Sequence, residues 1–345
     1  MRDFHYGIYI GRFQPLHIGH EQVIRQALER CETLIIIVGS SYMARTPVNP
    51  FTFEERAKMI QMAFMHEVFS GRIVILPLYD YEHDYDWTAN LKKGVTEAIL
   101  DHANKGGIRL HGIRDFKIAL TGYGKDSSSY YLEMFPEWDN IQIDTQHGTI
   151  NASDIRYDYF RRLPRMPHDA VSPKTLQFLK DFSLAEPFKD LVAYKDALSR
   201  DNIDYGQGPF LAADVLITWR GKILLITRGK DVGKGTLAMP GGFVEKGERF
   251  LDAAIRELKE EANIDGQDIA DYLAGHMLAD NPKRSLRGRI VSMVFHFDIP
   301  AEVEVTTPKG GDDASHADWY DFESLGTERF YEDHHTLITN ILAGE

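Results

Sequence analysis

Gly242-Phe-Val-Glu-Lys-Gly-Glu248, followed by Arg256-Glu-Leu-Lys-Glu-Glu261, is the stretch of this chain that says most about its fold. Glu257, Glu260 and Glu261 are spaced i, i+3 and i+4, which are neighbouring positions on a helix surface. Three like charges so close repel one another, and the helix therefore needs a compensating cation. Hard divalent ions such as Mg2+ take carboxylate oxygens as ligands and bind phosphate oxygens at the same time. The stretch therefore predicts a loop and a helix that hold a divalent metal ion.

The spacing of this stretch resembles the Nudix box. The chain matches the pattern at Gly242, Glu248, Arg256, Glu257, Leu258, Glu260, Glu261 and Ile264. Asn263 stands where the pattern has glycine, but Asn also tolerates the left-handed conformation that ends many helices, so we expect the turn to be kept. The alternative is a solvated acidic helix with incidental pairing of Arg256 and Glu260. So many matched positions disfavour that alternative.

The resemblance implies that a metal-activated water attacks a phosphorus atom of a diphosphate. The metal site that it implies consists of Gly242, Glu257, Glu260 and Glu261. Glu257 is also the candidate base, and Arg256 orients the carboxylates while it pairs with Glu248 across the loop. Further candidate substrate contacts are Arg228, Lys234, Glu245 and Asp313. A turn rich in Gly and Asp is the alternative explanation for the segment around Asp313.

A second signature lies near the start of the chain. The apolar run Tyr6 to Ile10 predicts a strand, and Gly11-Arg-Phe-Gln-Pro-Leu-His-Ile-Gly-His20 predicts a tight turn and a helix that begins near Gly19. Such a helix start offers unpaired N–H groups and a positive dipole end to an anion. His17 and His20 add ring N–H donors, and Arg12 adds a permanent positive charge. This stretch therefore predicts a phosphate-binding turn.

The second signature resembles the His-x-Gly-His nucleotidyltransferases, and the Gly-Arg-Phe-Gln-Pro run resembles the archaeal-type nicotinamide-mononucleotide adenylyltransferases. Two further stretches, Asn49 to Arg56 and Ile150 to Arg156, match elements of the same family. The resemblance implies that His17, His20 and Arg156 are catalytic and contact ATP phosphates. The other candidate nucleotide contacts are Gly11, Arg12, Phe13, Gly19, Arg45, Trp87 and Ser153. Trp87 suits a cationic nicotinamide ring, although a core anchor at a helix start is the alternative.

The order of apolar runs indicates two α/β domains. Five short apolar runs alternate with helical patterns in the first half, which predicts a doubly wound parallel sheet with ligands at the strand carboxyl ends. The predicted strands are Gly7–Ile10, Leu34–Val38, Ile73–Leu78, Ile118–Thr121 and Ile141–Asp144. The predicted helices between and after them are Gly19–Glu29, Phe53–Phe64, Trp87–His102, Ser127–Met134 and Asp154–Arg162, with two more between Ser172 and Arg200.

The second half of the chain predicts a mixed sheet between helices, an α/β/α sandwich of the Nudix type. Its predicted strands are Leu211–Trp219, Lys222–Arg228, Ile290–Ile299 and Asp318–Asp321, and its last helix is Glu332–Leu342. The polar segment Asp201–Pro209 predicts a linker. We therefore expect a nucleotidyltransferase domain over residues 1–200 and a Nudix domain over residues 201–345.

Bulk composition excludes several classes of protein. The chain has 345 residues, enough for two domains, and a formal net charge of −13, which argues against a general nucleic-acid binder. Its apolar runs are too short to cross a bilayer, so we expect no membrane association. Cys31 is the only cysteine, which favours a reducing compartment and a cytoplasmic protein. The sequence leaves open whether the protein forms a homo-oligomer.

The combined resemblance is to bifunctional nicotinamide-mononucleotide adenylyltransferase/Nudix hydrolase proteins. It implies that ATP and nicotinamide mononucleotide give NAD and pyrophosphate in the first domain, and that the second hydrolyses ADP-ribose to AMP and ribose 5-phosphate. Mg2+, or Mn2+ in its place, is expected at both sites. Three alternatives remain: an acceptor of the pantetheine-phosphate type, hydrolysis of another nucleoside diphosphate derivative, or a Nudix half that senses a nucleotide without hydrolysing it.

Overall fold

A computed structural model describes residues 2–81, 84–105, 116–122, 134–143, 150–204, 208–230 and 232–344. The chain forms two compact units, Met1–Leu191 and Val192–Glu345, which we call the N-terminal unit and the C-terminal unit. The functional domain limits predicted above, 1–200 and 201–345, remain our proposal.

The N-terminal unit is built on a parallel sheet. Its strands are β1 (Phe4–Gly11), β2 (Cys31–Val38), β3 (Ile73–Pro77), β4 (Ile118–Gly122) and β5 (Asp139–Gln142). They lie in the order β3-β2-β1-β4-β5, and every pairing is parallel. The chain therefore reverses its direction of winding between β1 and β4, where an open α/β sheet forms a crevice for ligands. This confirms the predicted doubly wound sheet.

Helices of the N-terminal unit follow the predicted order. They are α1 (Ile18–Arg30), α2 (Phe53–Ala63), α3 (Met65–Phe69), α4 (Asp84–Lys105), α5 (Ala152–Tyr159) and α6 (Pro173–Phe182), and α7 (Glu186–Asp204) begins here. The short α3 was not predicted. Of the predicted helix Ser127–Met134, residues 127–133 lie outside the described residues, as does Asp144 of the predicted fifth strand. One core cluster packs α4 against the sheet through Leu91, Val95, Ile99, Ile8 and Leu120.

The predicted linker is wrong in its first part. Asp201 to Asp204 continue α7, and residues 205–207 lie outside the described part of the chain. The segment is polar, which suggested a loop, but it contains no glycine or proline before Gly206. A helix that has already begun needs no apolar side chains to extend by another turn, because each added residue gains a backbone hydrogen bond.

The C-terminal unit is built on a mixed sheet of seven strands. They are β6 (Phe210–Trp219), β7 (Lys222–Arg228), β8 (Leu237–Ala238), β9 (Gly241–Phe243), β10 (Leu273–Ala279), β11 (Ile290–Ile299) and β12 (Ala314–Tyr320). The main order is β10-β11-β6-β7-β12, with β8 on β7 and β9 on β6. The β11–β6 pairing is parallel and the others are antiparallel. The strands β8, β9 and β10 were not predicted.

A tight turn and two helices complete this unit. Arg220 and Gly221 join β6 to β7 with φ values of 51° and 72°, as a two-residue hairpin turn requires. The helix α8 (Phe250–Ala262) packs its Ala254 and Leu258 into one core cluster. The helix α9 (His334–Ala343) packs into another with Leu216 of the same sheet. Because consecutive strand residues Leu216 and Ile217 fall in different clusters, the two helices cover opposite faces, and the predicted α/β/α sandwich is confirmed.

Among the described residues, no helix combines the length and hydropathy that would let it cross a membrane.

Candidate active sites

The turn after β1 is shaped by the packing of Phe13. Its backbone has a φ of 51°, and its side chain is 1% exposed. A Cβ atom on Gly11 would lie 2.9 Å from the Phe13 ring, so only glycine lets the ring fold back over the strand end. The ring also meets the His20 ring edge-on, at a centroid distance of 4.9 Å. Phe13, a predicted nucleotide contact, therefore holds the turn against the start of α1.

His17 and His20 form a reciprocal cap at the start of α1. The His17 Nδ1 atom accepts a hydrogen bond from the His20 backbone N–H at 3.3 Å, and His20 Nδ1 accepts one from the His17 N–H at 3.4 Å. The two rings stack with centroids 3.6 Å apart. Since each Nδ1 is an acceptor, the proton of each neutral ring is on Nε2. The cap thus fixes both rings as Nε2–H donors at the positive end of a helix.

Arg156 joins α5 to the same turn. Its guanidinium donates to the backbone oxygen of Gln14 at 2.6 Å and to Ser153 Oγ at 3.0 Å. Burial, and then the charge of Arg12, lower the pKa of Arg156 to about 10. The predicted residues Arg12, Ser153 and Arg156 therefore lie together with the histidine pair, and positive charge accumulates there.

Arg56 organises this site, although the sequence did not single it out. Its side chain is fully buried, and burial lowers its pKa to about 10. It donates to four backbone oxygens, those of Arg12 at 2.9 Å, Gly39 at 2.7 Å, Ser40 at 3.0 Å and Thr52 at 3.1 Å. The first three belong to the loops that leave β1 and β2. Arg56 was noted only as the last residue of a family motif, and its local sequence gives no sign of these distant carbonyl partners.

Two predicted nucleotide contacts lie in other surroundings. Arg45 forms a two-pronged ion pair with Glu55, at 2.6 and 2.8 Å, and also donates to the backbone oxygen of Pro50. Trp87 is half-buried in the first turn of α4 and packs near Phe135, as the core-anchor alternative predicts. Residues 82 and 83, just before α4, lie outside the described residues. Roles for Arg45 and Trp87 in binding nucleotides stay predictions.

Arg256 ties together the acidic residues of the C-terminal unit. It donates to both carboxylate oxygens of Glu248, at 2.9 and 3.1 Å, and to the backbone oxygen of Phe243 at 3.0 Å. The same side chain donates to Glu257 at 2.8 Å and to Glu260 at 3.1 Å. Arg256 therefore compensates the negative charge of Glu257 and Glu260 on this helix face. Its predicted pairing with Glu248 is present across the loop.

Glu257 and Glu261 are packed against a glycine pair. A Cβ atom on Gly242 would lie 2.2 Å from a Glu257 carboxylate oxygen, so this contact requires glycine. Glu261 is 3% exposed and accepts a hydrogen bond from the Gly241 N–H at 3.0 Å. Burial raises the pKa of Glu261 to about 8 and also raises the pKa of Glu257. A divalent cation beside these carboxylates would favour their charged form and so oppose the effect of burial.

The donor set fits a hard divalent ion. Carboxylate oxygens on one helix, next to backbone groups of a glycine pair, are the oxygen ligands that Mg2+ or Mn2+ takes. Within the described ranges, no three acidic, His or Cys side chains already converge on one point. Arg256 accounts for this, because it draws Glu257 and Glu260 toward its own guanidinium.

These carboxylates line a cavity of about 690 Å3 in the C-terminal unit. Three of the four predicted substrate contacts, Arg228, Glu245 and Asp313, line the same cavity, but Lys234 does not. Asp313 forms an ion pair with Lys230. Lining residues that the sequence did not reveal are Asp214, Arg284, Arg287, Tyr331, Glu332 and His334. They come from several distant segments and belong to no motif, so only the fold brings them together.

Comparisons with known proteins match the two units separately and together. A NUDIX domain family model matches residues 208–341, and a Cytidylyltransferase-like model matches residues 8–77. The chain is 35% identical over 191 residues to a nicotinamide/nicotinic acid mononucleotide adenylyltransferase of Acinetobacter baylyi, covering 55% of this chain and 93% of that protein. It is 38% identical over 135 residues to an ADP-ribose pyrophosphatase of Methanocaldococcus jannaschii, covering 39% of this chain and 73% of that protein.

One solved structure is similar along the whole length. It is a bifunctional NMN adenylyltransferase/ADP ribose pyrophosphatase from Francisella tularensis, in complex with AMP and a manganese ion. The sequences are 31% identical, the TM-score is 0.83, and the match covers 99% of both chains.

Proposed function

This chain belongs to the family of bifunctional NMN adenylyltransferase/ADP-ribose pyrophosphatases, and we propose that it carries out one reaction in each unit. In the N-terminal unit, ATP adenylates nicotinamide mononucleotide to give NAD and pyrophosphate. In the C-terminal unit, water cleaves ADP-ribose to AMP and ribose 5-phosphate. We propose Mg2+ as the metal ion of both reactions, with Mn2+ able to replace it.

The histidine cap carries the proposal for the N-terminal unit. The acceptor phosphate attacks the α-phosphorus of ATP, and the bond from that phosphorus to the bridging oxygen of pyrophosphate breaks. No protein nucleophile is needed, because the acceptor is already an anion. The Nε2–H groups of His17 and His20, together with the start of α1, donate to phosphate oxygens. Arg156, fixed to the Gln14 carbonyl and helped by Arg12, neutralises charge on the departing pyrophosphate. A bound magnesium ion supplies further neutralisation of the ATP phosphates.

Acceptor choice tests this half of the proposal. Purified protein receives ATP, Mg2+ and one acceptor: nicotinamide mononucleotide, nicotinic acid mononucleotide or pantetheine phosphate. We expect NAD and pyrophosphate in equal amounts from nicotinamide mononucleotide, measured by enzymatic assay of both products. Adenylation of pantetheine phosphate alone would replace this proposal with the rival acceptor class.

The glycine-backed carboxylates carry the proposal for the C-terminal unit. Glu257 lies against Gly242, and Glu261 is bonded to the Gly241 N–H, so both carboxylates face the cavity from fixed positions. We propose that Glu260 and Glu261 bind the metal ion, and that Glu257 binds it or accepts the proton of the attacking water. A bound divalent ion makes that water more acidic and neutralises the diphosphate. Arg256 orients Glu257 and Glu260 by direct hydrogen bonds.

A substrate panel tests hydrolysis. Protein with Mg2+ receives ADP-ribose, NAD, NADH, diadenosine polyphosphates or 8-oxo-dGTP, and the products are separated by ion-exchange chromatography. We expect AMP and ribose 5-phosphate from ADP-ribose. Glu261→Gln should abolish the reaction, whereas the exposed Glu323→Gln should leave it unchanged. Hydrolysis of another compound in the panel would change the substrate. Binding of ADP-ribose without turnover of any compound would make this unit a sensor.

We also propose the compartment in which the protein works and the class of ligand that it binds. We infer from the single cysteine, which is buried, that the chain works in the reducing cytoplasm. Its net charge of −13 gives no broad basic surface for nucleic acid, so the ligands we propose are nucleotides alone.

A further inference from the structure

The strand β10 (Leu273–Ala279) has one open edge. It is a terminal strand of the sheet in the C-terminal unit, and it pairs with β11 alone among the described strands. No backbone hydrogen bond joins β10 to any other described segment. Since every second residue of a strand directs its N–H and C=O away from the neighbouring strand, β10 offers a row of unpaired backbone groups to another chain.

Proline or charge protects the other terminal strands of the two sheets. In the described part of the chain, β3 ends in Pro77, β5 begins at Asp139 and β12 contains Asp318. Such residues discourage pairing with a further strand, because proline has no N–H and a charge is costly to bury. The sequence of β10, Leu-Ala-Gly-His-Met-Leu-Ala, contains no proline, Asp, Glu, Lys or Arg. Another strand can therefore pair with β10 at a lower cost than with the other three.

Apolar side chains lie along the open edge. Leu273 is 42% exposed and Leu278 is 53% exposed. In the register with β11, Leu278 stands opposite Met293, which packs against the core cluster under α8. His276 stands opposite Phe295 of the same cluster, with ring centroids 6.2 Å apart. The edge therefore continues the core as a partly exposed apolar row, which a further strand would cover.

A bulge limits the part of β10 that can pair regularly. The register with β11 shifts between Leu273 and Gly275, where β10 has one residue more than its neighbour. The regular part is therefore Gly275–Ala279, and Met277 lies at its centre. An antiparallel partner that avoids the bulge must pair with this short segment.

Two copies of the segment are complementary when they run antiparallel about Met277. Gly275 of each copy then lies opposite Ala279 of the other, and His276 lies opposite Leu278. On one face, the small Gly275 and Ala279 leave room for the two flexible Met277 side chains. On the other face, each Leu278 extends the apolar row of the other copy. Directly opposite residues lie close together on one face of a sheet, so all these contacts form at once.

The two ends of the edge carry opposite charges. Asp271 lies six positions before Met277, and Lys283 lies six positions after it. Both side chains are exposed, and neither forms an ion pair within the described ranges. Antiparallel pairing about Met277 brings Asp271 of each copy toward Lys283 of the other. Two chains of net charge −13 repel one another, but a second copy meets opposite charge at both ends of this edge.

We propose that two copies of this chain form a dimer by antiparallel pairing of their β10 edges about Met277. The pairing joins two sheets into one continuous sheet and satisfies the open backbone groups of both edges. A two-fold axis closes the assembly at two copies, because the same surface of each copy is used. One strand pair is small beside the roughly 1,600 Å2 of a stable interface, so we expect a dimer that dissociates on dilution. The inference does not depend on either proposed reaction.

Sedimentation velocity of the full-length chain tests the dimer. We expect the mass to rise from that of one chain to that of two as the concentration is raised from about 1 µM to about 200 µM. Leu278→Lys places an ammonium group on the edge, and its desolvation should weaken dimerisation about tenfold or more. The matched control is Leu342→Lys on α9, where Leu342 is 43% exposed, and it should dimerise like the parent. A monomer at every concentration, or a dimer as tight in Leu278→Lys as in the parent, would overturn the proposal.

Exchange of charges tests whether identical edges meet, and it uses exposed positions where folding should be unaffected. Asp271→Lys sets two lysines together at each end, and Lys283→Asp sets two acids together. Each should weaken dimerisation about threefold to tenfold at low salt, and less at high salt. The double variant with both changes restores opposite charges and should recover most of the parent's affinity. Without that recovery, antiparallel pairing about Met277 is wrong.

Hydrogen exchange locates the contact along the chain. Raising the concentration should slow exchange of the backbone amides in Leu273–Ala279, because dimerisation turns open N–H groups into hydrogen bonds. The amides of β12, at the other end of the same sheet, should exchange at the same rate at all concentrations. Slower exchange in β12, with β10 unchanged, would mean that the dimer forms elsewhere and would overturn the proposal.

Discussion

Arg56 and Arg256 each hold loops in place, but they donate to different kinds of acceptor. Arg56 donates only to backbone oxygens and so fixes the path of the chain. Arg256 donates mainly to carboxylates and so fixes charge, and its hydrogen bonds with Glu248 raise its own pKa. Backbone oxygens carry no net charge, so these bonds leave the positive charge of Arg56 in place, and we propose that this charge favours anions at the loops it holds. The second holds three acids, Glu248, Glu257 and Glu260, close together.

Replacement of Arg256 by lysine tests its orienting role. Lysine keeps the positive charge but cannot donate to both oxygens of Glu248 while also reaching Glu257. We expect Arg256→Lys to lower kcat for ADP-ribose hydrolysis by about 10- to 100-fold, the range seen when residues that orient metal ligands are lost. Adenylyl transfer in the same preparation serves as the control. Unchanged hydrolysis would mean that the metal ion alone orients the glutamates.

His334 predicts a pH dependence of stability. It is buried, its Nδ1 atom accepts a hydrogen bond from the Met239 N–H at 3.1 Å, and burial lowers its pKa to about 3. The unfolded chain takes up a proton near pH 6.5 and the folded chain does not. The free energy of unfolding should therefore fall as pH drops from about 6.5 toward 3, by up to about 1.4 kcal/mol per unit.

Urea unfolding of the parent and of His334→Gln between pH 7 and pH 5 measures this contribution. Glutamine keeps a hydrogen-bond acceptor but does not titrate in this range. The loss of stability on acidification should be smaller in the variant than in the parent. Equal losses in both proteins would show that His334 gains its proton in the folded state as well.

At the scale of single elements, local spacing sets where helices begin and end. The helices α1 and α2 both start with a reciprocal cap over three residues, His17 with His20 and Thr52 with Glu55. The second has the Thr-x-x-Glu spacing that is typical of a capping box. The first uses histidine rings in the same geometry, so the structural cap and the phosphate site that we propose share the same two residues. The caps explain where α1 and α2 begin. The Nε2–H groups of the α1 cap are the donors that we propose for phosphate.

Asn263 ends α8 in the left-handed conformation, with φ 56° and ψ 28°. The expectation that Asn would serve here in place of glycine is confirmed. We predict that Asn263→Gly leaves the stability of the C-terminal unit about unchanged, and that Asn263→Ala lowers it by about 1 kcal/mol. Thermal unfolding of the three proteins gives the comparison. A variant Asn263→Ala as stable as Asn263→Gly would show that α8 can end in another way.

At the scale of the whole molecule, each unit has its own sheet, core and reactive groups. The net charge of −13 repels nucleotides, so local cations must attract them. In the N-terminal unit these are Arg12 and Arg156 beside the histidine cap. In the C-terminal unit we propose that Arg228, which lines the cavity, and the metal ion at the glutamates have this role.

Two single substitutions should separate the activities. His20→Ala removes one phosphate donor and half of the cap, and we expect it to lower adenylyl transfer by about 100-fold or more while hydrolysis is unchanged. Glu261→Gln should have the reverse effect. Both reactions are measured on the same full-length preparations. Loss of both activities in either variant would show that the two sites depend on one another.

The sequence alone was sufficient wherever the decisive residues lie close together in the chain. Glu257, Glu260 and Glu261 share a helix face because of their spacing, and His17 and His20 are one helical turn apart. Alternating strands and helices fixed both fold classes for the same reason, since hydrophobic periodicity is a local property. The short strands β8 and β9 were not predicted, because two or three residues are too few to show a hydrophobic alternation.

Only the tertiary structure could show which distant groups meet. The sequence shows Arg56 only as the last residue of a motif, whereas the fold shows that it donates to four backbone oxygens. Arg45 and Trp87, which were candidate ligand contacts, pack against Glu55 and Phe135. Arg287 and Tyr331 are 44 positions apart in the sequence, and no motif marks either of them. Only the fold shows that both line the same cavity. The partners of a charged group depend on which distant chain segments the sheet brings together. For that reason only the fold shows that Arg228, Arg284 and Arg287 line one cavity.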